Sequence, residues 1–143
     1  MSQKTPLPTH KGVGALLRKH GIYPTRQRIA VAAVLFDGCR HFAAEDLFQR
    51  VIASGSRVSR ATVYNTLGLL AAKGVVREVI ADPDRIFYDP NTLPHHHLYN
   101  ETTGELIDVD ESEIEFGKLP ALPEGFDLER VDVIVRLRPK AIP

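Results

Sequence analysis

The sequence predicts an α+β fold, and three observations carry that prediction. Apolar residues recur at helical spacing through residues 13–73. Two short β-branched and aromatic runs follow, joined by the turn Ala81-Asp82-Pro83-Asp84. Beyond residue 94, strand-like runs alternate with turns. This order predicts an N-terminal winged helix-turn-helix followed by a small α/β dimerisation domain.

Charge divides the 143-residue chain into two parts. Residues 1–80 hold 12 Lys and Arg against 4 Asp and Glu, a net charge of +8, and residues 81–143 hold 6 against 14, a net charge of −8. Such a division favours a basic module that faces a polyanion and an acidic module that binds a partner. We therefore expect a DNA-binding domain over residues 1–88, a hinge over 89–96 and a dimerisation domain over 97–143.

Composition excludes several classes of protein. No apolar run approaches the roughly 20 residues that span a bilayer, and Met1 to Lys11 lacks the apolar segment of a signal peptide. We expect a cytoplasmic protein without a membrane partner. Cys39 is the only cysteine, so one chain can form neither an internal disulfide nor a four-cysteine structural zinc site. We interpret Cys39 as a plain thiol.

Four helices are predicted in the basic part. The first covers Val13 to His20 and ends at Gly21; the second follows the N-cap Thr25 and runs through Phe36. The third covers Ala43 to Ala53, and the fourth runs from the N-cap Ser59 to Lys73, before Gly74. In the second helix the apolar positions Ile29, Ala33 and Phe36, with Ala32 beside them, have helical spacing. The predicted inward positions are Phe42, Leu47, Phe48 and Val51 for the third helix, and Val63, Thr66, Leu67 and Leu70 for the fourth.

The outer face of the fourth helix is suited to contact another surface. Small or short side chains occupy it, at Ala61, Asn65, Gly68 and Ala72. Arg60 lies in the first turn, where a cation opposes the helix dipole by about 0.3–1 kcal/mol, and Arg57 comes just before. A helix that contacts phosphates would favour these arginines; the alternative is an ordinary solvated Arg60.

A hairpin of Val75–Ile80 and Arg85–Tyr88 follows, as in a winged helix-turn-helix. In that arrangement one helix lies in the major groove of DNA and the hairpin touches the backbone beside it. The basic charge of residues 1–80 would attract the phosphates. The expected DNA contacts are Arg57, Ser59, Arg60, Thr62, Tyr64 and Asn65.

The run His95-His96-His97 predicts a metal site. On a strand, His95 and His97 point to one side and His96 to the other. The turn Thr102-Thr103-Gly104 would bring Asp108 beside them. Nitrogen and oxygen donors suit iron, manganese or zinc alike. The alternative is a solvated polar hairpin.

The acidic part predicts a homodimer. After strands at His97–Asn100 and Glu105–Val109, a short helix is expected near Glu111–Phe116, then a strand over Phe126–Leu137 that is apolar on both faces. So small a sheet is marginal alone, and a second copy would cover it through residues 97–138. The alternative is one compact domain in which this sheet packs on the helices.

Several motifs resemble the ferric uptake regulator family of bacterial transcription regulators. They are Pro24-Thr25-Arg26-Gln27-Arg28, Ala44-Glu45-Asp46-Leu47, Ala61-Thr62-Val63-Tyr64-Asn65-Thr66-Leu67, the histidine run and Gly104-Glu105-Leu106-Ile107-Asp108. The resemblance covers roughly residues 13–138. It implies a hinge site for one divalent ion (Fe²⁺, Mn²⁺ or Zn²⁺) with the ligands His41, Asp89, His95, His97 and Asp108, and a base contact from Tyr64.

The chain also departs from the family pattern. Asn100 and Thr103 stand where the first Cys-x-x-Cys pair falls, so the structural zinc site is lost. Tyr23 replaces a basic residue that many members insert into the minor groove. Without cysteine pairs, and with the tail Leu119–Phe126 and Arg136–Arg138, the chain looks most like the iron response regulator subgroup. That subgroup implies haem, here through His95, His96 and His97, because no Cys-Pro motif is present.

Together these features predict a metal-responsive regulator of iron or related metal homeostasis that binds a double-stranded DNA operator. A haem-sensing regulator, or a metal or haem carrier without a DNA role, is the alternative. A metallohydrolase is disfavoured, since five protein ligands leave little room for water and substrate. The sequence carries no Gly-rich phosphate loop or nucleophile motif. No catalytic residues are predicted.

Overall fold

The computed structural model describes residues 10–37 and 41–142, with side chains from Gly12 onward. It forms two compact units, an N-terminal unit that runs to Leu93 and a C-terminal unit that begins at Pro94. Cys39 lies outside the described residues. None of the described helices combines the length and apolarity needed to cross a bilayer.

Within residues 10–37 and 41–93, four helices build the N-terminal unit: α1 (His10–Lys19), α2 (Arg26–Phe36), α3 (Ala44–Ala53) and α4 (Arg60–Ala72). Both predicted N-caps are present. The Thr25 hydroxyl accepts the N–H of Arg28 at 3.2 Å, and the Ser59 hydroxyl accepts the N–H of Thr62 at 3.1 Å. After α4 the chain reverses at Gly74, whose φ of +74° favours glycine. The caps therefore fix the ends of α2 and α4.

The core of this unit follows the predicted faces of α3 and α4, and in α2 it also includes Val31 and Leu35, which the predicted spacing did not name. Leu47, Val51 and the four predicted positions of α4 are buried. In α2 the buried residues are Val31, Ala32, Leu35 and Phe36, and Ile29 and Ala33 are partly buried and pack against the same core. The helix is apolar on nearly every side, and its spacing does not single out one face.

A three-stranded antiparallel sheet completes the N-terminal unit, with strands β1 (Phe42–Ala43), β2 (Arg77–Asp82) and β3 (Arg85–Asp89) in the order β1-β3-β2. The predicted hairpin is confirmed, but β2 begins two residues later than expected, because Val75 and Val76 pack into the helical core. Strand β1 was not predicted. It pairs Phe42 with Tyr88 and joins the start of α3 to the hairpin.

The C-terminal unit is a second three-stranded sheet, with β4 (His95–Asn100), β5 (Leu106–Asp110) and β6 (Ile134–Leu137) in the order β5-β4-β6. Strands β4 and β5 are antiparallel, whereas β4 and β6 are parallel. The predicted helix near 111–116 is reduced to a single 3₁₀ turn, Glu111–Glu113.

The predicted strand over 126–137 is wrong in extent, since only its last four residues are assigned to β6. A strand needs backbone partners, and β6 pairs only with the second part of β4, from His97 to Asn100. Apolar character on both faces does not supply that partner, so residues 126–133 remain outside the sheet.

Hydrogen bonds close the turn between β4 and β5, where the family pattern places a cysteine pair. The Asn100 side-chain oxygen accepts the N–H groups of Thr102 and Thr103, at 3.0 and 3.2 Å. The N–H of Gly104 donates to the carbonyl of Asn100 at 2.8 Å. An Asx-type turn thus holds together a loop that has no thiol ligands.

Candidate functional site

The three consecutive histidines leave β4 on alternate sides, as predicted. All three are buried, with exposures of 7, 5 and 3% for His95, His96 and His97. The alternative of a solvated polar hairpin is therefore wrong for these side chains. Buried imidazoles need hydrogen-bond or metal partners, so their neighbours decide what they do.

His95 and His97 converge with Asp108 of β5. The two rings are 4.6 Å apart between centroids. Their Nε2 atoms lie 3.5 and 3.3 Å from the same Asp108 oxygen, Oδ1. The register of the β4–β5 hairpin, which pairs His97 directly with Asp108, produces this convergence.

The donor geometry fits a bound metal ion. Separations of 3.3 and 3.5 Å are longer than a good N–H···O hydrogen bond, which spans about 2.7–3.2 Å. They match the edge between two ligand atoms that each lie about 2.1 Å from one ion, which is about 3.0–3.5 Å for octahedral or tetrahedral coordination. Two nitrogens and a carboxylate oxygen form a donor set that suits Mn²⁺, Fe²⁺ or Zn²⁺.

Asp89 and His41 belong to the N-terminal unit. The role of both residues as metal ligands stays a prediction. Asp89 ends β3, is 1% exposed, and its Oδ1 accepts the N–H of Asn91 at 2.8 Å. His41 precedes β1 and packs edge-on against Phe87, with 6.2 Å between ring centroids.

His96 has a different role from its neighbours. Its Nδ1 accepts the N–H of Val133 at 3.2 Å, so the second nitrogen, Nε2, carries the proton of the neutral ring. The ring also packs edge-on against Phe116, at 5.7 Å. His96 therefore joins β4 to the residue before β6. It is not brought together with His95 and His97, and the three histidines do not form one ligand set.

The predicted DNA contacts all lie in α4 or just before it. Five of them are exposed and Thr62 is half-buried. The Ser59 hydroxyl is engaged in the helix cap and donates to Thr62 Oγ1 at 2.9 Å. Tyr64 is a large exposed aromatic side chain, with 44% of its surface accessible. The exposed positions form one continuous face of α4.

Grooves flank this face on both sides. One, of about 220 Å³, is lined by Thr25, Gln27, Arg28, Thr62, Asn65, Thr66 and Leu69. The other, of about 470 Å³, is lined by Ala43, Ala44, Glu45, Asp46, Tyr64, Asp84, Arg85, Ile86 and Tyr88. The first groove brings Gln27 and Arg28 of α2 beside the predicted DNA contacts. In the sequence these two residues stand out only as part of a family motif.

Arg60 has an intramolecular partner that sequence reasoning missed. Its Nε and Nη2 donate to the two oxygens of Glu45, at 2.8 and 2.9 Å. Its guanidinium carbon lies 4.6 Å from the centre of the Phe48 ring. The hydrogen bonds from Arg60 are the main reason that the pKa of Glu45 falls to about 2, and Glu45 in turn raises the pKa of Arg60. Arg60 is thus exposed but paired.

A second ion pair ties the hairpin to α3. Arg85 at the start of β3 donates to Asp46 at 2.8 Å. Its guanidinium also lies 5.0 Å from the centre of the Phe87 ring. Glu45 and Asp46 are adjacent in the first turn of α3, where acids are favoured by the helix dipole. The first turn of α3 therefore forms ion pairs with Arg60 of α4 and with Arg85 of the hairpin.

Comparison with known proteins gives consistent matches. The model of the ferric uptake regulator family matches residues 19–136. The peroxide-responsive repressor PerR of Staphylococcus epidermidis is 32% identical over 94 residues, 66% of this chain and 63% of that protein. The match thus covers slightly less than two thirds of the length of that curated relative.

Solved structures extend the likeness over most of the chain. The ferric uptake regulator from Pseudomonas aeruginosa with manganese is 26% identical, with a TM-score of 0.71 over 90% of this chain and 98% of that one. A zinc-bound manganese uptake regulator is also 26% identical, with a TM-score of 0.65 over 87% of this chain and 96% of that one.

Proposed function

Because the chain belongs to the ferric uptake regulator family, we propose that it is a metal-responsive, DNA-binding transcriptional regulator of iron or a related metal, and not an enzyme. The observation that carries this proposal is the convergence of His95 and His97 on Asp108, with coordination-like spacing. A donor set of this kind suits an ion-sensing site in a protein whose basic part can bind DNA.

The proposed site holds one divalent ion per chain. His95, His97 and Asp108 supply three donors from the C-terminal unit, and Asp89 is the proposed fourth ligand. His41 is the proposed fifth ligand, on the family resemblance alone. Relatives with manganese or with zinc bound support an ion of this class. The ion would supply positive charge that holds carboxylates and neutral imidazoles together.

The proposed DNA-reading element is α4, with the hairpin β2–β3 beside it. Support comes from the exposed face of α4, from its flanking grooves and from the charge of +8 on residues 1–80. Arg57, Ser59, Arg60, Thr62, Tyr64 and Asn65 remain the proposed contacts. A homodimer would present two such helices to successive major grooves.

The proposed homodimer forms through residues 97–138. Support comes from large apolar side chains that are at least 38% exposed in the single chain: Ile107, Phe116, Leu119, Leu122, Phe126, Leu128 and Val135. A patch of this kind marks a protein contact surface. In this proposal residues 1–88 bind DNA, 89–96 form a hinge and 97–143 dimerise, and the ion favours one geometry of the hinge.

We also propose membership of the iron response regulator subgroup, with haem as a second candidate ligand. The single cysteine, the histidine run and the tail Leu119–Phe126 support it. An absorption spectrum of protein purified without a tag tests this part. A Soret band would support haem, and its absence after haem titration would exclude it. With His96 bonded to Val133, haem ligation would fall to His95 or His97.

Metal analysis and DNA selection test the main proposal. We expect about one Mn²⁺, Fe²⁺ or Zn²⁺ per chain, and enrichment of one sequence family when metal-loaded protein selects duplexes from a randomised pool. Affinity for the selected duplex should change by about tenfold or more when metal is removed by a chelator. Absence of sequence enrichment, or equal affinity with and without metal, would contradict a metal-responsive regulator.

A further inference from the structure

Glu45 occupies the centre of a hydrogen-bonded cluster on the exposed face of the N-terminal unit. Its carboxylate accepts two hydrogen bonds from Arg60, one from Tyr64 at 3.3 Å and one from Gln49 at 3.2 Å. Arg60 and Tyr64 lie in α4, one turn apart, whereas Glu45 and Gln49 lie in α3. The cluster therefore joins the two helices through a single carboxylate.

Contacts with Glu45 and Phe48 hold the Arg60 side chain in one orientation and leave one edge of its guanidinium free. Glu45 takes the Nε and Nη2 edge of the guanidinium, and the Phe48 ring lies against its face. A planar guanidinium held on one edge and one face has lost most of its rotamer freedom. The Nη1 edge carries further N–H donors that Glu45 does not use. Arg60 can therefore keep Glu45 and still donate to a DNA acceptor.

The charge of Glu45 also affects how this surface can bind DNA. Glu45 and Arg60 have side chains that are 47% and 58% exposed, so the pair faces solvent. A carboxylate among residues that approach phosphates opposes binding to DNA of any sequence. It can favour binding only through the orientation that it gives to neighbouring donors. A residue that weakens attraction to DNA of any sequence and orders sequence-specific contacts raises the ratio of specific to non-specific affinity.

We propose that Glu45 is a specificity-determining positioning residue of the DNA-binding surface, which holds Arg60 and the Tyr64 hydroxyl in place for sequence-dependent contacts while its charge limits binding to unrelated DNA. This inference rests on the proposed function. Glu45 itself makes no DNA contact in the proposal and acts through its two partners in α4.

The test compares Glu45→Gln with wild type on two probes, a duplex selected by the metal-loaded wild-type protein and a scrambled duplex of the same composition. The affinity ratio between them should fall about tenfold, the size of one good base contact. Affinity for the scrambled duplex should not fall, because a negative charge has been removed. An unchanged ratio would overturn the proposal, as would equal losses on both probes, which indicate general misfolding.

Asp46→Asn is the matched control. It removes the same charge from the adjacent residue of α3, but its partner is Arg85 of the hairpin, at 2.8 Å. We expect the ratio to stay within about twofold of wild type, since contacts to the DNA backbone carry no sequence information. A fall in the ratio as large as that of Glu45→Gln would show a general charge effect and overturn the proposal.

Phe48→Leu supplies a test that does not alter charge. It removes the ring beneath the Arg60 guanidinium, and we expect weaker binding to the selected duplex with unchanged binding to the scrambled one. An unchanged ratio in this variant also counts against the proposal. If the wild-type protein selects no sequence, the proposed function fails together with this inference. If it selects a sequence and the variants keep the wild-type affinity ratio between the two duplexes, only the inference fails.

Discussion

His96 and His97 are consecutive residues whose side chains leave opposite faces of β4. His97 Nε2 lies 3.3 Å from Asp108, whereas His96 accepts the N–H of Val133. Both are buried, so burial alone does not separate a metal ligand from a structural histidine. The polar atom that lies next to each ring nitrogen makes that distinction.

Replacing His97 with Ala should weaken Mn²⁺ or Zn²⁺ binding by at least about 10–100-fold, the loss typical of removing even an outer-shell partner of a metal ligand. The N-terminal unit should stay folded, because His97 belongs to the other unit. Isothermal titration with metal and circular dichroism measure the two quantities.

The control is His96→Ala. It should keep metal affinity near the wild-type value and lower the free energy of unfolding by about 1–3 kcal/mol, because the N–H of Val133 loses its acceptor. If His97→Ala leaves metal affinity unchanged, or if both variants lose it equally, then His97 is not the ligand described above.

At the scale of elements, the contact between α3 and α4 should depend on pH. Hydrogen bonds from Arg60, then from Gln49, lower the pKa of Glu45 from 4.5 to about 2. A carboxyl group with a depressed pKa stabilises the fold above its unfolded pKa, and that contribution is lost as the pH falls from about 4.5 through about 2. A ¹³C NMR titration of the Glu45 carboxyl should give a midpoint near 2. A midpoint near 4.5 would show that the pair with Arg60 does not form in solution.

The sequence predicted α4 almost completely, because three independent signals agree there. Ser59 caps its start, Gly74 follows its end, and Val63, Leu67 and Leu70 recur at helical spacing. The face of α2 was not predictable in this way, since apolar residues surround that helix. Strand β1 is two residues long, too short to show any alternation.

The candidate site was predictable only where local geometry decides it. Alternation along β4 and the tight turn after it place His95, His97 and Asp108 together from sequence spacing alone. Glu45 was not predictable, because Arg60 lies 15 residues away on another helix. Contacts between helices depend on packing that no short pattern encodes. Asp89 precedes the histidine run in the sequence, whereas His41 entered through the family resemblance alone, and the role of both as ligands stays a prediction.

At the scale of the whole molecule, opposite charges cancel to a net charge of zero, although the two parts differ in what they expose. The C-terminal unit presents large apolar side chains, and Phe126 is 70% exposed. In the proposed assembly these side chains lie in the dimer contact, where an acidic residue would be costly.

Phe126→Asp should therefore raise the dimer dissociation constant by about tenfold or more, as for truncation of a buried aromatic anchor. Sedimentation equilibrium of the full chain measures it. Ile80→Asp is the control, an equally apolar position that is 62% exposed in β2, outside residues 97–138. Equal effects of the two substitutions, or a wild-type protein that is monomeric at high concentration, would contradict the proposed interface.

The parallel pairing of β4 with β6 affects the order in which the chain can fold during its synthesis. Every strand pair of the N-terminal unit, and the β4–β5 hairpin, joins residues no later than Asp110 in the chain. The parallel neighbour of β4 begins at Ile134, opposite His97. Since domains fold in the order of synthesis, the helices and hairpin of the proposed DNA-binding part can form on the ribosome before β4 gains its second neighbour. A message cut short before the codon of Ile134 would yield a protein with α4 intact and with the sheet of the proposed metal site incomplete.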